Sequence, residues 1–183
     1  MDLGYLLSAV YFYLPGAVAN IGANLARFVP FLKNISVPVD GGYVWKGRRL
    51  IGEHKSWGGF LGGVLFGLVF GLGKIFIFDK YWPGTLFLSL STGWGVLLIV
   101  LMSVGAVSGD IVKSVLKRVV GVSPHRPWIP FDEIDHTTMA MILVRLVFGV
   151  EWKLVFVVIG VYFVLHLVSN IVGYALKLKK VPY

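Results

Sequence analysis

Between Gly109 and Gly121 the chain reads Gly-Asp-Ile-Val-Lys-Ser-Val-Leu-Lys-Arg-Val-Val-Gly. At about 100° per residue of helix, Asp110, Lys113, Ser114, Lys117, Arg118 and Gly121 share one side. Ile111, Val112, Val115, Leu116, Val119 and Val120 share the other. One face thus stacks a carboxylate, three cations and a hydroxyl, an arrangement suited to a metal ion and a polyphosphate. Asp132 and Asp135 follow after a loop with three prolines, at a spacing of i, i+3 that points both from one side of a helix start. An acidic residue at a helix N-terminus caps it and complements its dipole. That ordinary role accounts for one of the two, but not for an acidic cluster facing Asp110 across a short connection. Magnesium takes oxygen ligands, usually a few carboxylates together with substrate phosphates. Asp110, Asp132 and Asp135 are therefore the candidate metal ligands. Lys113, Lys117, Arg118 and Lys55, with Ser114 beside them, are candidate phosphate contacts. Metal, positioning and cationic stabilisation of oxyanions are the equipment of phosphoryl-type transfer.

A second basic segment, residues 30–56, contains Pro38-Val39-Asp40-Gly41-Gly42 and then Lys46-Gly47-Arg48-Arg49-Leu50-Ile51-Gly52-Glu53-His54-Lys55-Ser56. Its glycines permit sharp turns and close ligand approach. Its cations suit phosphate, although a basic loop resting on anionic lipid is the plainer reading. No Gly-x-x-x-x-Gly-Lys-[Ser/Thr] run is present, which excludes a P-loop. His54, His125 and His136 match no zinc spacing and read as loop hydrogen-bonders. His166 and Asn170 read as an interhelical hydrogen-bonding pair, and Arg145 as a snorkelling residue. Asn20, a polar residue inside an apolar stretch, is a candidate lipid-headgroup contact.

The elements that must hold these residues are set by hydropathy. Of 183 residues 57% are apolar, against about 45–50% in soluble domains, and mean hydropathy is +0.81. The expectation is an all-α, polytopic membrane protein of one domain. About 20 apolar residues cross a bilayer, and five stretches qualify: residues 3–29, 57–78, 83–106 continuing as a cytoplasmic helix to 121, 134–150 and 152–176. The fourth is short and carries Arg145. Cytoplasmic loops are expected at 30–56 and 107–133. Twelve of the cations fall on one side of this topology, which places that side in the cytoplasm, the N-terminus outside and the C-terminus inside. The formal charge of +8 then belongs to loops facing anionic headgroups rather than to nucleic acid, and Lys177, Lys179 and Lys180 anchor the last span. No cleavable leader is expected. The absence of cysteine excludes disulfides and thiolate-bound zinc. Gly59, Gly63, Gly67 and Gly71 form a ridge at intervals of four, read as a close helix–helix contact. A small channel or transporter would need polar residues through the spans, and these are scarce.

The pattern Gly109-Asp110-x-x-Lys113-Ser114-x-x-Lys117-Arg118-x-x-Gly121, followed by Asp132-x-x-Asp135, resembles the signature of the CTP-dependent cytidylyltransferases that activate membrane lipids. The first loop is similar to that of the archaeal branch, the CDP-archaeol synthases. The matching stretches are Pro38-Val39-Asp40, Gly47-Arg48-Arg49-Leu50-Ile51-Gly52-Glu53-His54-Lys55-Ser56-Trp57 and Gly62-Gly63, with Pro15 and Asn20 in the first span. Departures are Pro124-His125 for Pro-Gly and Glu133 for Gln in the Asp-Gln-x-Asp run. The bacterial His-Gly-Gly stretch is missing. The resemblance implies CMP transfer from CTP to 2,3-bis-O-geranylgeranylglycerol 1-phosphate, with release of pyrophosphate. It implies Mg2+ as cofactor, catalysis by Asp110, Lys113, Lys117, Asp132 and Asp135, and CTP contacts from Pro38, Asp40, Arg48, Arg49, Lys55, Ser56, Lys113, Ser114, Lys117 and Arg118. Expected partners are CTP, an isoprenoid ether-lipid phosphate, the bilayer and, as an open option, a second copy of the chain. A CTP-dependent polyprenol kinase is the rival within lipid-phosphate chemistry. A CDP-alcohol phosphotransferase lacks support because its Asp-Gly-x-x-Ala-Arg helix is missing.

Overall fold

The computed structural model describes residues 2–35, 37–45, 47–52, 55–78, 92–123, 126–177 and 179, with only the backbone at 48 and 92. The Arg48 side chain, Lys46, Glu53, His54, the first part of the expected third span, Pro124, His125 and Lys180 lie outside the described residues.

Helix α1 runs Leu3–Leu25 and opens on Asp2, whose side chain accepts the Tyr5 N–H at 2.7 Å. Such a cap is worth about 1 kcal/mol. A tight turn, Ala26–Phe28, and a short α2, Pro30–Lys33, lead into the first loop. Two-residue strands β1 (Val44–Trp45) and β2 (Arg48–Arg49) pair there as an antiparallel hairpin, Val44 opposite Arg49 and Trp45 opposite Arg48. This hairpin is a departure from a purely helical expectation. Helix α3, Trp57–Gly73, is capped by Ser56, whose hydroxyl accepts the Gly59 N–H at 3.1 Å, and continues as a π-helical turn over Lys74–Phe78. Then come α4 (Thr92–Val119), α5 (Phe131–Phe148) and α6 (Trp152–Ala175).

Among the described residues four helical stretches are long and apolar enough to cross a membrane: Leu3–Phe28, Trp57–Ile77, Gly93–Val119 and Trp152–Ala175. Helix α5 occupies the place of the expected fourth crossing. It carries Asp132, Glu133, Asp135 and Arg145 in 18 residues, so length and composition alone do not qualify it. Arg145 stacks over the Trp152 ring at 4.3 Å and donates to the Val150 carbonyl, folding back on the turn to α6.

Within lipid, helices associate through close packing of small residues more than through the hydrophobic effect. The glycine ridge of α3 does this. A Cβ at Gly63 would stand 2.7 Å from both the Ala19 carbonyl of α1 and a Val107 methyl of α4, and one at Gly67 would stand 2.9 Å from the Ala19 Cβ. Phe12, Tyr13, Met102, Met141, Val144, Val155 and Val158 fill the buried centre between α1, α4, α5 and α6. The Tyr13 hydroxyl donates to the His136 carbonyl at 3.0 Å and that of Tyr162 to the Val10 carbonyl at 2.8 Å, so both buried phenols are satisfied.

Candidate active site

The site forms where α4 and α5 leave the apolar centre. Their backbones touch at Gly109, where a Cβ would collide with the Asp135 carbonyl, and at Gly105, where it would meet the Ala140 Cα at 2.5 Å. This small-residue spacing of four puts Asp110 and Lys113 within reach of the first turns of α5. Helix α4 ends at Gly121, whose φ of +88° turns the chain, with the Val122 N–H returning to the Lys117 carbonyl at 2.9 Å. Arg118 donates to the Val122 carbonyl at 2.9 Å across the same turn. The connector then closes on α5 because the Trp128 N–H donates to Asp132 Oδ2 at 2.6 Å.

Three carboxylates converge on one ammonium. Lys113 Nζ stands 3.1 Å from Asp110 Oδ1, 3.2 Å from Asp132 Oδ1 and 2.9 Å from Asp135 Oδ2. Lys117 Nζ holds both oxygens of Asp132, at 3.2 and 2.9 Å. Lys55 reaches across from the first loop to pair with the other oxygen of Asp110. Asp135 Oδ1 accepts from the His136 N–H at 2.6 Å and lies 3.2 Å from His136 Nδ1. Partial burial pushes the Asp132 carboxyl upward, but the hydrogen bonds from Lys117 and Trp128 and the charge of Lys113 outweigh it and hold it below its ordinary value.

Lys55 is delivered by the way the first loop closes. Pro38 bridges Ser56, the Val39 N–H donates to the Lys55 carbonyl at 3.0 Å, and the Trp57 N–H to the Val37 carbonyl at 2.9 Å. Inside the loop Asp40 gathers the Gly42 N–H at 2.9 Å, the Ile51 N–H at 3.0 Å and the Arg49 guanidinium at 3.0 Å. Its burial raises its pKa less than these bonds lower it. A small cleft between loop and helices is lined by Asn24, Lys55, Ser56 and Asp110. A larger apolar groove of about 250 Å³ runs between α4 and α5, from Lys113 and Asp135 past Leu116, Trp128 and Phe131 to Ile142.

The family model for CDP-archaeol synthase, CarS-like, matches residues 2–183. The chain belongs to the CDP-archaeol synthase family. A CDP-archaeol synthase of Methanopyrus kandleri is 34% identical over all of this chain and 95% of its own length. One of Thermococcus onnurineus is 32% identical over the whole of both chains. A solved structure of an intramembrane enzyme for archaeal membrane lipids biosynthesis superposes with a TM-score of 0.69 at 25% identity, covering 91% of this chain and 94% of the other.

Cytidylyltransferases of this kind are generally metal-dependent, and the donor set fits a hard divalent ion. Three carboxylates from two helices already meet around a single cationic atom. Among the described residues no three acidic or histidine side chains are grouped as metal ligands; the Lys113 ammonium stands at their meeting point.

Of the residues singled out in the sequence, the fold brings together Asp110, Lys113, Lys117, Asp132, Asp135 and Lys55. It gives others local tasks: Ser114 donates to the Asp110 carbonyl at 2.8 Å, Ser56 caps α3, and Asp40 with Arg49 organises the loop. Asn20 does not line the cleft. Asn24, one turn further along α1 and hydrogen-bonded to the Asn20 carbonyl at 3.1 Å, does. Asn170 is not paired with another span; it accepts from Lys179 of the tail at 2.5 Å. His166 stands with its ring centre 5.9 Å from that of His136. Sequence reading missed Asn24 and the Gly105–Gly109 contact. The i, i+4 repeats with Asn20 and between the two glycines were the signals that could have found them.

Proposed function

We infer that this chain is a CTP-dependent cytidylyltransferase that forms CDP-archaeol for archaeal membrane lipids. The supporting observation is the convergence of Asp110, Asp132 and Asp135 on Lys113, flanked by Lys55 and Lys117, at one end of apolar helices. The family match over nearly the whole chain supplies the reaction class.

The reaction needs little from the protein beyond placement and charge. An oxygen of the lipid phosphate, already ionised, attacks the α-phosphorus of CTP. The bond from that phosphorus to the bridging oxygen of the β-phosphate breaks, and pyrophosphate leaves with the electron pair. Asp110, Asp132 and Asp135 would hold Mg2+, which when bound supplies positive charge against the triphosphate. Lys55, Lys113, Lys117 and Arg118, with Ser114, neutralise the phosphates as charge moves to the leaving group. Pro38, Asp40, Arg48, Arg49, Lys55 and Ser56 belong to a loop that closes over the nucleotide. Asn20 meets the lipid headgroup. The tails of 2,3-bis-O-geranylgeranylglycerol 1-phosphate stay among the helices, and the apolar groove ending at Lys113 and Asp135 suits such a chain beside its phosphate. The site faces the cytoplasm, where CTP is, with the N-terminus outside and the C-terminus inside. A homodimer belongs to the proposal only as an option that crosslinking in the bilayer decides.

The test is CTP labelled at the α- or γ-phosphate, offered with ether- and ester-linked glycerol phosphates, with and without Mg2+. Lipid carrying the α-label, with pyrophosphate released only in the presence of metal, is the expected result. Lipid carrying the γ-label, with CDP released, would establish the kinase reaction instead.

A further inference from the structure

Lys113 cannot serve a phosphate from where it stands. An ammonium has three N–H donors, and three carboxylates accept them at distances between 2.9 and 3.2 Å. Among the described residues of the cluster, three carboxylates (Asp110, Asp132, Asp135) face three ammoniums (Lys55, Lys113, Lys117), so their formal charges cancel. A neutral cluster has no attraction for a triphosphate. Nor can Lys113 simply leave, because three carboxylates from two helices packed as closely as α4 and α5 repel one another without a cation between them. A lysine has a flexible four-carbon stem, so its charge can swing away while its backbone stays in α4.

We propose that Lys113 is the resident counter-ion of the carboxylate cluster, exchanged for the divalent cation on loading and thereby released to the phosphates of CTP. This rests on the reading of the three aspartates as the metal's ligands. Two consequences follow from charge. Metal alone binds weakly because it must displace an ammonium with three partners. CTP strengthens metal binding because it gives the displaced ammonium a new partner, and by linkage metal strengthens CTP binding equally.

The wild-type protein in detergent tests this without any substitution. An amine-acylating reagent is applied, and modification at Lys113 is followed by mass spectrometry, first metal-free, then with Mn2+ alone, then with Mn2+ and CTP. Modification should be lowest metal-free, rise several-fold with Mn2+ and fall again with CTP. Unchanged modification of Lys113 at a Mn2+ concentration shown by electron paramagnetic resonance to saturate the protein overturns the exchange. Binding of Mn2+ alone is then compared across variants. Lys113→Met should bind Mn2+ on the order of tenfold more tightly than wild type, the scale of one unit of competing charge interaction. Lys117→Met, which removes the same charge from a lysine touching only Asp132, should gain distinctly less. An equal gain in both variants, or none in Lys113→Met, refutes the exchange. Should Lys113→Met fail to fold metal-free, Lys113→Gln takes its place, and the acylation result stands independently. Absence of Mn2+ binding to wild type, or binding untouched by Asp110→Asn together with Asp135→Asn, would instead sink the assignment of the ligands.

Discussion

Asp40 in the first loop and Asp110 on α4 both face basic side chains, but the rest of their surroundings differ in kind. Asp40, with its side chain 2% exposed, spends its oxygens on the backbone N–H groups of Gly42 and Ile51 and on the planar guanidinium of Arg49. Asp110, 22% exposed, is met by two lysine tips, Lys55 and Lys113. Backbone N–H groups are fixed by the fold and cannot be traded for a ligand without opening the loop. Lysine ammoniums sit on flexible stems and exchange partners easily. A carboxylate bound by main chain is committed to structure; one bound by lysines remains available. The same distinction sorts the rest of the site: Asp132 is anchored by the Trp128 N–H on one oxygen yet shares both with lysines.

Substitutions should separate the two centres. Asp110→Asn should lower CMP transfer by at least about a thousandfold, the scale of losing central charge stabilisation, with helicity by circular dichroism unchanged. Near-normal turnover in a well-folded Asp110→Asn protein would remove Asp110 from the chemistry. Gly109→Leu should cost roughly a hundredfold by prising α4 from Asp135, an error of position at a site that needs close geometry. Its signature is lost activity with reduced thermal stability, and full activity would show that the close contact is dispensable. Asp40→Ala should act more mildly and through binding. With the Gly42 and Ile51 N–H groups left unpaired at about 1–3 kcal/mol, the loop opens, KM for CTP rises on the order of tenfold and protease cuts the loop sooner. A fall in kcat at unchanged KM would make Asp40 a participant in the reaction instead.

Acidity gives the smallest effect and the sharpest contrast. The Asp40 pKa is lowered in the fold, so its contribution to stability is complete above the unfolded value of about 3.9. It is lost only as pH falls through the still lower folded value. Protease resistance of the loop should therefore be flat from pH 7 to about pH 5. A loosening within that interval would show that some other group holds the loop closed.

Much of this was legible before any coordinates. The alternation of polar and apolar faces along 109–121 and the i, i+3 spacing of Asp132 and Asp135 are local properties of a helix, and the fold keeps them. The helical, membrane-embedded class followed from apolar stretches too long for another use. Less legible were the hairpin at Val44–Arg49, whose strands are too short for a periodicity to show, and the role of Asp40, whose partners at 42, 49 and 51 depend on how the loop closes. The weak fourth stretch was legible as ambiguous: α5 is a helix with a charged start and a buried middle.

Sequence alone determined that a carboxylate, three cations and two further aspartates would lie at the ends of apolar helices, because helical periodicity and hydropathy act within a dozen residues. Only the tertiary structure decided that the three aspartates would meet on Lys113. That meeting depends on two glycines letting α4 and α5 touch and on a loop zipped shut between residues 37 and 57 to deliver Lys55. Which charges become partners is a matter of a few ångströms between segments far apart in the chain, and no local pattern carries that distance.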